Sequence, residues 1–105
     1  MLIDTHAHIY TADFNDDREE VIRNAVEAGV RKILMPNIDV ESLQDVLRVA
    51  EEFPGICLPM TGLHPGSVDA GYMDQLDKLG QSFHDRPFIG IGEIGIDLYW
   101  DKTYI

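Results

Sequence analysis

Four short apolar runs alternate with three amphipathic segments along this chain, and that alternation leaves it few folds to adopt. The runs 2–6, 30–35, 56–61 and 88–93 have strand length and strand composition. Between them, 15–28 places Val21, Ile22, Ala25 and Val26 at helical spacing. Segment 40–53 does the same with Leu43, Val46, Leu47, Ala50 and Phe53, and 72–83 with Met73, Leu76, Leu79 and Phe83. The end signals agree with this reading. Asp16 and Glu19 resemble a capping box, Gly29 suits the left-handed position past a helix, Asp39 is placed to cap the second helix, and Pro54-Gly55 stops it. Pro59 inside the third strand and Gly80 inside the third helix are the weak points. In the last run Ile89, Ile91 and Glu93 share one face, while Gly90 and Gly92 leave the other bare for close approach.

A βαβαβαβ order builds a parallel sheet with right-handed crossovers. Two closures compete: the N-terminal half of a TIM (β/α)8-type barrel and an open doubly wound sheet. An open nucleotide-binding sheet is expected to carry a Gly-rich phosphate loop after its first strand, whereas here that strand runs into His6-Ala7-His8. The barrel half is therefore the expectation. A closed barrel needs roughly 250 residues, and this chain has 105. Residues 1–105 are read as one partial barrel domain, incomplete at the C-terminus.

Nineteen acidic residues against eight basic ones give a formal net charge of -11, which opposes nonspecific adhesion to nucleic acid or to an anionic membrane. An enzyme acting on phosphodiesters stays open, because bound divalent cations reverse the potential locally. Asp16, Asp17, Glu19, Glu20 and Glu27 fit the solvated face and first turn of a helix. No apolar run approaches the ~20 residues of a membrane span, and Asp4 and His6 stand where a secretory signal needs a basic start and an apolar stretch. The single cysteine, Cys57, lies in Ile56-Cys57-Leu58 and reads as a small core residue. A reducing, cytoplasmic setting is expected, with no membrane partner and no obligate protein partner.

Three of the four runs end in a group able to do chemistry. Residues two apart in a strand point the same way, so His6 and His8 share a face and can hold one cation. Taken alone, a His-x-His is equally well read as two polar residues in a turn. Glu93, facing two imidazoles, would complete a three-ligand metal set or bridge two cations; the plain alternative is a surface glutamate at a loop start. His64, on the constrained turn Gly62-Leu63-His64-Pro65, is a donor to a bound phosphate, a further ligand, or a loop histidine satisfying backbone. Asp97 reads as a turn carboxylate, His84 as a helix-end imidazole on the opposite rim, and Tyr99 and Trp100 as packing residues ahead of a stacking platform. The C-terminal ends of parallel barrel strands share one rim, so His6, His8, His64 and Glu93 are expected to meet. No Gly-x-Ser-x-Gly, Cys-x-x-Cys or phosphate-loop motif is present, which leaves serine-nucleophile chemistry unsupported.

Asp4-Thr5-His6-Ala7-His8, Gly62-Leu63-His64-Pro65 and Gly92-Glu93-Ile94-Gly95-Ile96-Asp97, in this order and spacing, resemble the TatD family of metal-dependent deoxyribonucleases among the amidohydrolase-like barrels. Tyr99-Trp100-Asp101 continues the resemblance, which spans the whole chain. It implies a metal-dependent hydrolase cleaving phosphodiester bonds in DNA, often as an exonuclease, with two divalent cations in the intact enzyme. Zinc, manganese and magnesium are not distinguished by the ligands at hand. Position by position it assigns His6 and His8 to the first metal, Glu93 to the shared, catalytic metal-bridging carboxylate, and His64 to substrate contact. Family members supply two further histidines and an aspartate from later strands, so the chain resembles the N-terminal part of such an enzyme. By itself it is expected to be inactive. Two rival readings are a C–N bond amidohydrolase on the same barrel and a non-catalytic metal-binding or interaction fragment whose open sheet edges seek partners. Amidohydrolase relatives often bridge their metals with a modified lysine at the end of strand four, and Glu93 in Gly-Glu-Ile-Gly favours the phosphodiesterase branch.

Overall fold

The computed structural model describes residues 1–100 and 102–104 of the chain; Asp101, which closes the Tyr99-Trp100-Asp101 stretch, lies outside the described residues. Strand β2 (Val30–Met35) is the spine of the sheet. Its alternate residues Ile33 and Met35 are buried, as the period of two requires, and β1 (Leu2–Asp4) and β3 (Cys57–Thr61) flank it in parallel. Asp4 stands opposite Ile33 on one side, and Ile33 and Met35 stand opposite Cys57 and Pro59 on the other. Strand β4 (Gly90–Ile91) joins beyond β3, with Gly90 opposite Met60. Pro59 is tolerated inside β3 because its carbonyl still accepts the amide of Ile89 at 2.8 Å.

The order β1-β2-β3-β4 is sequential and every pair is parallel. A doubly wound sheet reverses its strand order at a switch point; a barrel does not. The chain forms the N-terminal half of a TIM (β/α)8-type barrel. Helices α1 (Arg18–Glu27) and α2 (Val40–Glu52) cover one face, where Ile22, Val46 and Val49 pack on Ile33, Met35 and Cys57. Helix α3 (Tyr72–Asp85) meets α2 through Leu79, Leu43 and Leu63. Among the described residues no helix is long and apolar enough to cross a membrane.

Local signals explain most boundaries. Asp39 caps α2 in a capping box with Ser42: its carboxylate accepts the Ser42 amide at 2.8 Å, and the serine hydroxyl accepts the Asp39 amide at 3.1 Å. Gly29, at φ 104, takes the left-handed position after α1. The capping box expected at Asp16 and Glu19 does not form. A 3-10 turn at Ala12–Phe14 delays the helix to Arg18, so Asp17 precedes it and makes no side-chain cap bond.

Two further expectations are corrected, for the last strand and for Tyr99 and Trp100, and the third helix shows an exposed face. The last strand, expected over 88–93, pairs only at Gly90–Ile91, because β3 ends at Thr61; the Gly92 amide still donates to the Thr61 carbonyl, but the Gly92 carbonyl and the Glu93 amide bond to Asn37 in the loop after β2. The apolar face of α3 is only partly covered: Leu79 is buried while Met73, Leu76 and Phe83 stay exposed, since the short β4 offers little beneath them. Tyr99 and Trp100 are not packing residues. They are 80% and 81% exposed and meet only each other, edge to face, as a described ring pair.

Close approach at the glycines falls at Gly92 and Gly62. A Cβ on Gly92 would lie 2.5 Å from Met60 Cε, and one on Gly62 would lie 2.8 Å from the Gly92 backbone. Gly90 makes only ordinary contact, 3.7 Å from the same methionine. Gly62→Ala is expected to destabilise the chain by about 1–3 kcal/mol, because backbone cannot yield as a side chain does. Gly80→Ala, in the middle of α3 with open space where the Cβ would go, is expected to stabilise by about 0.5–1 kcal/mol. Urea denaturation of both variants checks the pair.

Candidate functional site

Each site residue is set by a local device. After β1, the Asp4 carboxylate accepts the amide of His6 at 3.0 Å, and the amide of Ala7 bonds the Leu34 carbonyl at 3.1 Å. These bonds keep residues 6 and 8 on one side of the extended chain, with imidazole centroids 5.1 Å apart, edge to face. Arg18 closes the loop that follows. Its Nε donates to the Ile9 carbonyl at 2.8 Å and its Nη2 to the carbonyls of Tyr10 and Thr11 at 3.1 and 2.9 Å. Glu93 is placed by its backbone, its amide donating to the Asn37 carbonyl at 3.1 Å while the Asn37 amide donates to Gly92 at 2.9 Å. His64 is tethered by its amide to the Ile38 carbonyl at 2.8 Å.

Strands lie about 4.8 Å apart, so a flat sheet would hold β1 and β4 about 14 Å from one another. Curvature and side-chain reach close that gap. Glu93 Oε2 lies 3.2 Å from His6 Nε2 and 3.3 Å from His8 Nε2, and Oε1 lies 3.1 Å from His64 Nε2. One donor atom from each of His6, His8 and Glu93 sits within 4.8 Å of the others. All four residues singled out at strand ends therefore meet. Two imidazole nitrogens and a carboxylate oxygen facing one point form a donor set that could hold one divalent cation.

Burial lowers the pKa of His8 below 6.5, with the His6 imidazole acting in the same sense and Glu93 partly offsetting both. His64 Nδ1 accepts the amide of Gly66 at 2.9 Å. Its neutral ring must then carry the proton on Nε2, which points at Glu93 Oε1. The loop-histidine reading of His64 is thus realised at Nδ1, while Nε2 of the same ring faces Glu93. Asp97 acts as the turn carboxylate expected, its Oδ1 accepting the amides of Tyr99 and Trp100 at 2.8 and 3.0 Å. His84 lies in the last turn of α3, exposed and edge to face with Phe83, outside the cluster.

Three residues escape a reading of motifs. Tyr10 continues the alternation of His6 and His8, a signal that was available; it is 1% exposed, and burial pushes its hydroxyl well above the usual phenol range. Arg18 sits among helix charges, and nothing in the sequence marks it as the clamp of the preceding loop. Asn37, fully buried, follows Met35-Pro36 with no motif to announce it.

The TatD related DNase family model matches residues 3–104. The chain is 37% identical over 101 residues to the uncharacterized metal-dependent hydrolase YjjV of Escherichia coli (strain K12), covering 94% of this chain and 39% of that protein. It is 35% identical to the uncharacterized metal-dependent hydrolase YabD of Bacillus subtilis (strain 168), covering 98% of this chain and 40% of that one. The 3'-5' ssDNA/RNA exonuclease TatD of Dickeya dadantii (strain 3937) is 28% identical over 96 residues, 91% of this chain and 36% of that protein. The crystal structure of Escherichia coli YjjV superposes with a TM-score of 0.82 at 35% identity, over 95% of this chain and 39% of that one. The chain thus spans 36–40% of the length of these relatives. With a match that runs from residue 3 to residue 104 and a backbone that follows a solved relative, the chain belongs to the TatD related DNase family.

Proposed function

We propose that this chain carries one cation-binding half of the active site of a metal-dependent hydrolase that cleaves phosphodiester bonds in DNA. The observation that carries the reading is the carboxylate of Glu93 reaching from β4 to within 3.3 Å of both imidazoles that follow β1. His6 and His8 would hold the cation through Nε2 and Glu93 through Oε2, while Glu93 Oε1 lies 3.1 Å from His64 Nε2. A divalent cation supplies, when bound, neutralisation of charge on phosphoryl oxygens and activation of a water nucleophile at neutral pH. His64 is assigned to substrate contact on the same rim, where its Nε2–H would have to turn from Glu93 Oε1 to a phosphate oxygen. The families of the relatives point to the substrate: one is named as an exonuclease on single-stranded DNA and RNA. At a net charge of -11 the chain itself repels a phosphate backbone, so engagement of the substrate falls to the cations. Burial pushes the free thiol of Cys57 up to about 11, an inert group suited to the cytoplasm, where we place the protein.

Calorimetric titration with zinc or manganese is expected to show a single cation bound by His6, His8 and Glu93. Glu93→Gln and His6→Ala should each weaken it at least about 10-fold, and unchanged affinity in either variant would remove the residue from the set. Acid has a second effect on the metal-free chain. The folded state binds the His8 proton less tightly than the unfolded state, so His8 contributes stability above pH 6.5 that is lost as pH falls toward its lowered value. Urea melts across that window should show the slope, flattened in His8→Gln.

The activity is tested by joining the chain to the part of the Escherichia coli relative outside the match. Metal-dependent cleavage of single-stranded DNA, abolished by Glu93→Gln, is the expected result. Turnover of a cyclic amide without nuclease activity would overturn the proposal.

A further inference from the structure

The hydroxyl of Tyr10 lies between two groups, 2.8 Å from His8 Nδ1 and 2.6 Å from the carbonyl oxygen of Pro36. A phenol has one proton to give, and a peptide carbonyl only accepts. Were that proton given to His8, the Tyr10 and Pro36 oxygens would face each other lone pair to lone pair at 2.6 Å, in a place where Tyr10 is 1% exposed. The proton therefore goes to Pro36, and the Tyr10 oxygen accepts from Nδ1–H of His8. A neutral ring protonated on Nδ1 has a bare lone pair on Nε2, the atom 3.3 Å from Glu93 Oε2, and that pair of acceptors, outside the buried core, is the one a cation would bridge.

We propose that Tyr10 is a positioning residue that locks His8 in the Nδ1–H tautomer, through the relay His8 to Tyr10 to the Pro36 carbonyl, and so presents Nε2 ready to bind a divalent cation. The proposal rests on the reading of His6, His8 and Glu93 as a cation site. The lock is rigid at its far end, because the Tyr10 ring is buried with Ile22, Ile33 and Met35. His64 shows the opposite case. Its Nδ1 faces a donor, the Gly66 amide, which puts the proton on Nε2 and makes that ring a hydrogen-bond donor to the other carboxylate oxygen. Two histidines on one carboxylate thus take opposite tautomers, each imposed by what its Nδ1 meets, and the difference separates a ligand from a donor.

The test is a long-range proton–nitrogen correlation spectrum of the metal-free, nitrogen-15-labelled chain at neutral pH, with zinc titrations alongside. The wild-type chain is expected to show His8 protonated on Nδ1 and His64 on Nε2. Tyr10→Phe keeps the ring and removes only the hydroxyl, and with it both the acceptor for His8 and the donor to Pro36. It should convert His8 to a tautomer mixture, leave His64 unchanged, and raise the zinc dissociation constant about 10–100-fold. A wild-type His8 protonated on Nε2 overturns the proposal, as does a Tyr10→Phe chain with both tautomer and zinc affinity unaltered. Should that variant fail to fold, the wild-type spectrum alone decides. Absence of zinc binding by the wild-type chain would instead overturn the cation-site reading, and the metal-free spectra would still judge the lock.

Discussion

The buried amide of Asn37 is the point on which the rim of this half barrel depends. Its Nδ2 donates to the carbonyls of Asp39 and Gly62 at 2.8 and 2.9 Å, and its Oδ1 accepts the hydroxyl of Ser42 at 2.7 Å. Its backbone takes the amide of Glu93 and gives its own to Gly92. One side chain thus ties the end of β2 to the end of β3, to the cap of α2 and, through its backbone, to the carboxylate that closes the site. Only an amide can do this, since the position needs a double donor and an acceptor together and an aspartate or a leucine lacks one or both. In a place without solvent, each group left unpaired would cost about 1–3 kcal/mol, so the arrangement is held as a unit rather than bond by bond.

The strand with no reactive side chain turns out to frame those that have one. Between Leu34 and Ile38 the β2 strand and its extension offer four carbonyls, and each takes a hydrogen bond from a different part of the site. Leu34 receives Ala7, Pro36 receives the Tyr10 hydroxyl, Asn37 receives Glu93 and Ile38 receives His64. The site residues therefore hang from the end of β2 and the loop that follows it, although they come from three other strands.

How much of this is legible in the sequence follows from the range of each interaction. Periodicity and caps are local, so β2, α2 with Asp39, and the turn at Gly29 can be read directly. The coming together of His6, His8, His64 and Glu93 is also legible, because a parallel barrel brings strand ends to one rim whatever their separation along the chain. The extent of β4 is not, since a strand's length depends on where its neighbour stops, and β3 stops at Thr61. The exposure of Leu76 and Phe83 is hidden for the same reason: helical spacing tells which residues share a face, not whether anything covers it. Tyr10, Arg18 and Asn37 work through backbone carbonyls, and a carbonyl has no letter in the sequence.

The acidity of the chain and its proposed action on DNA are reconciled at this rim. Of the four histidines, three surround Glu93, and only His84 lies elsewhere. The carboxylate there is enclosed by nitrogen groups, whereas most other acidic residues lie on exposed helix faces, as Glu19, Glu20 and Glu51 do. On the proposed reading a phosphate approaching the chain would meet repulsion over most of its surface and be drawn only to a cation bound at this cluster. Because each ring donor must be unprotonated to bind metal, the same cluster would make that attraction conditional on metal and on pH together. On that reading a protein of this charge would gain selectivity from the arrangement: nucleic acid would not coat it, and only a phosphate delivered to a bound cation would be held.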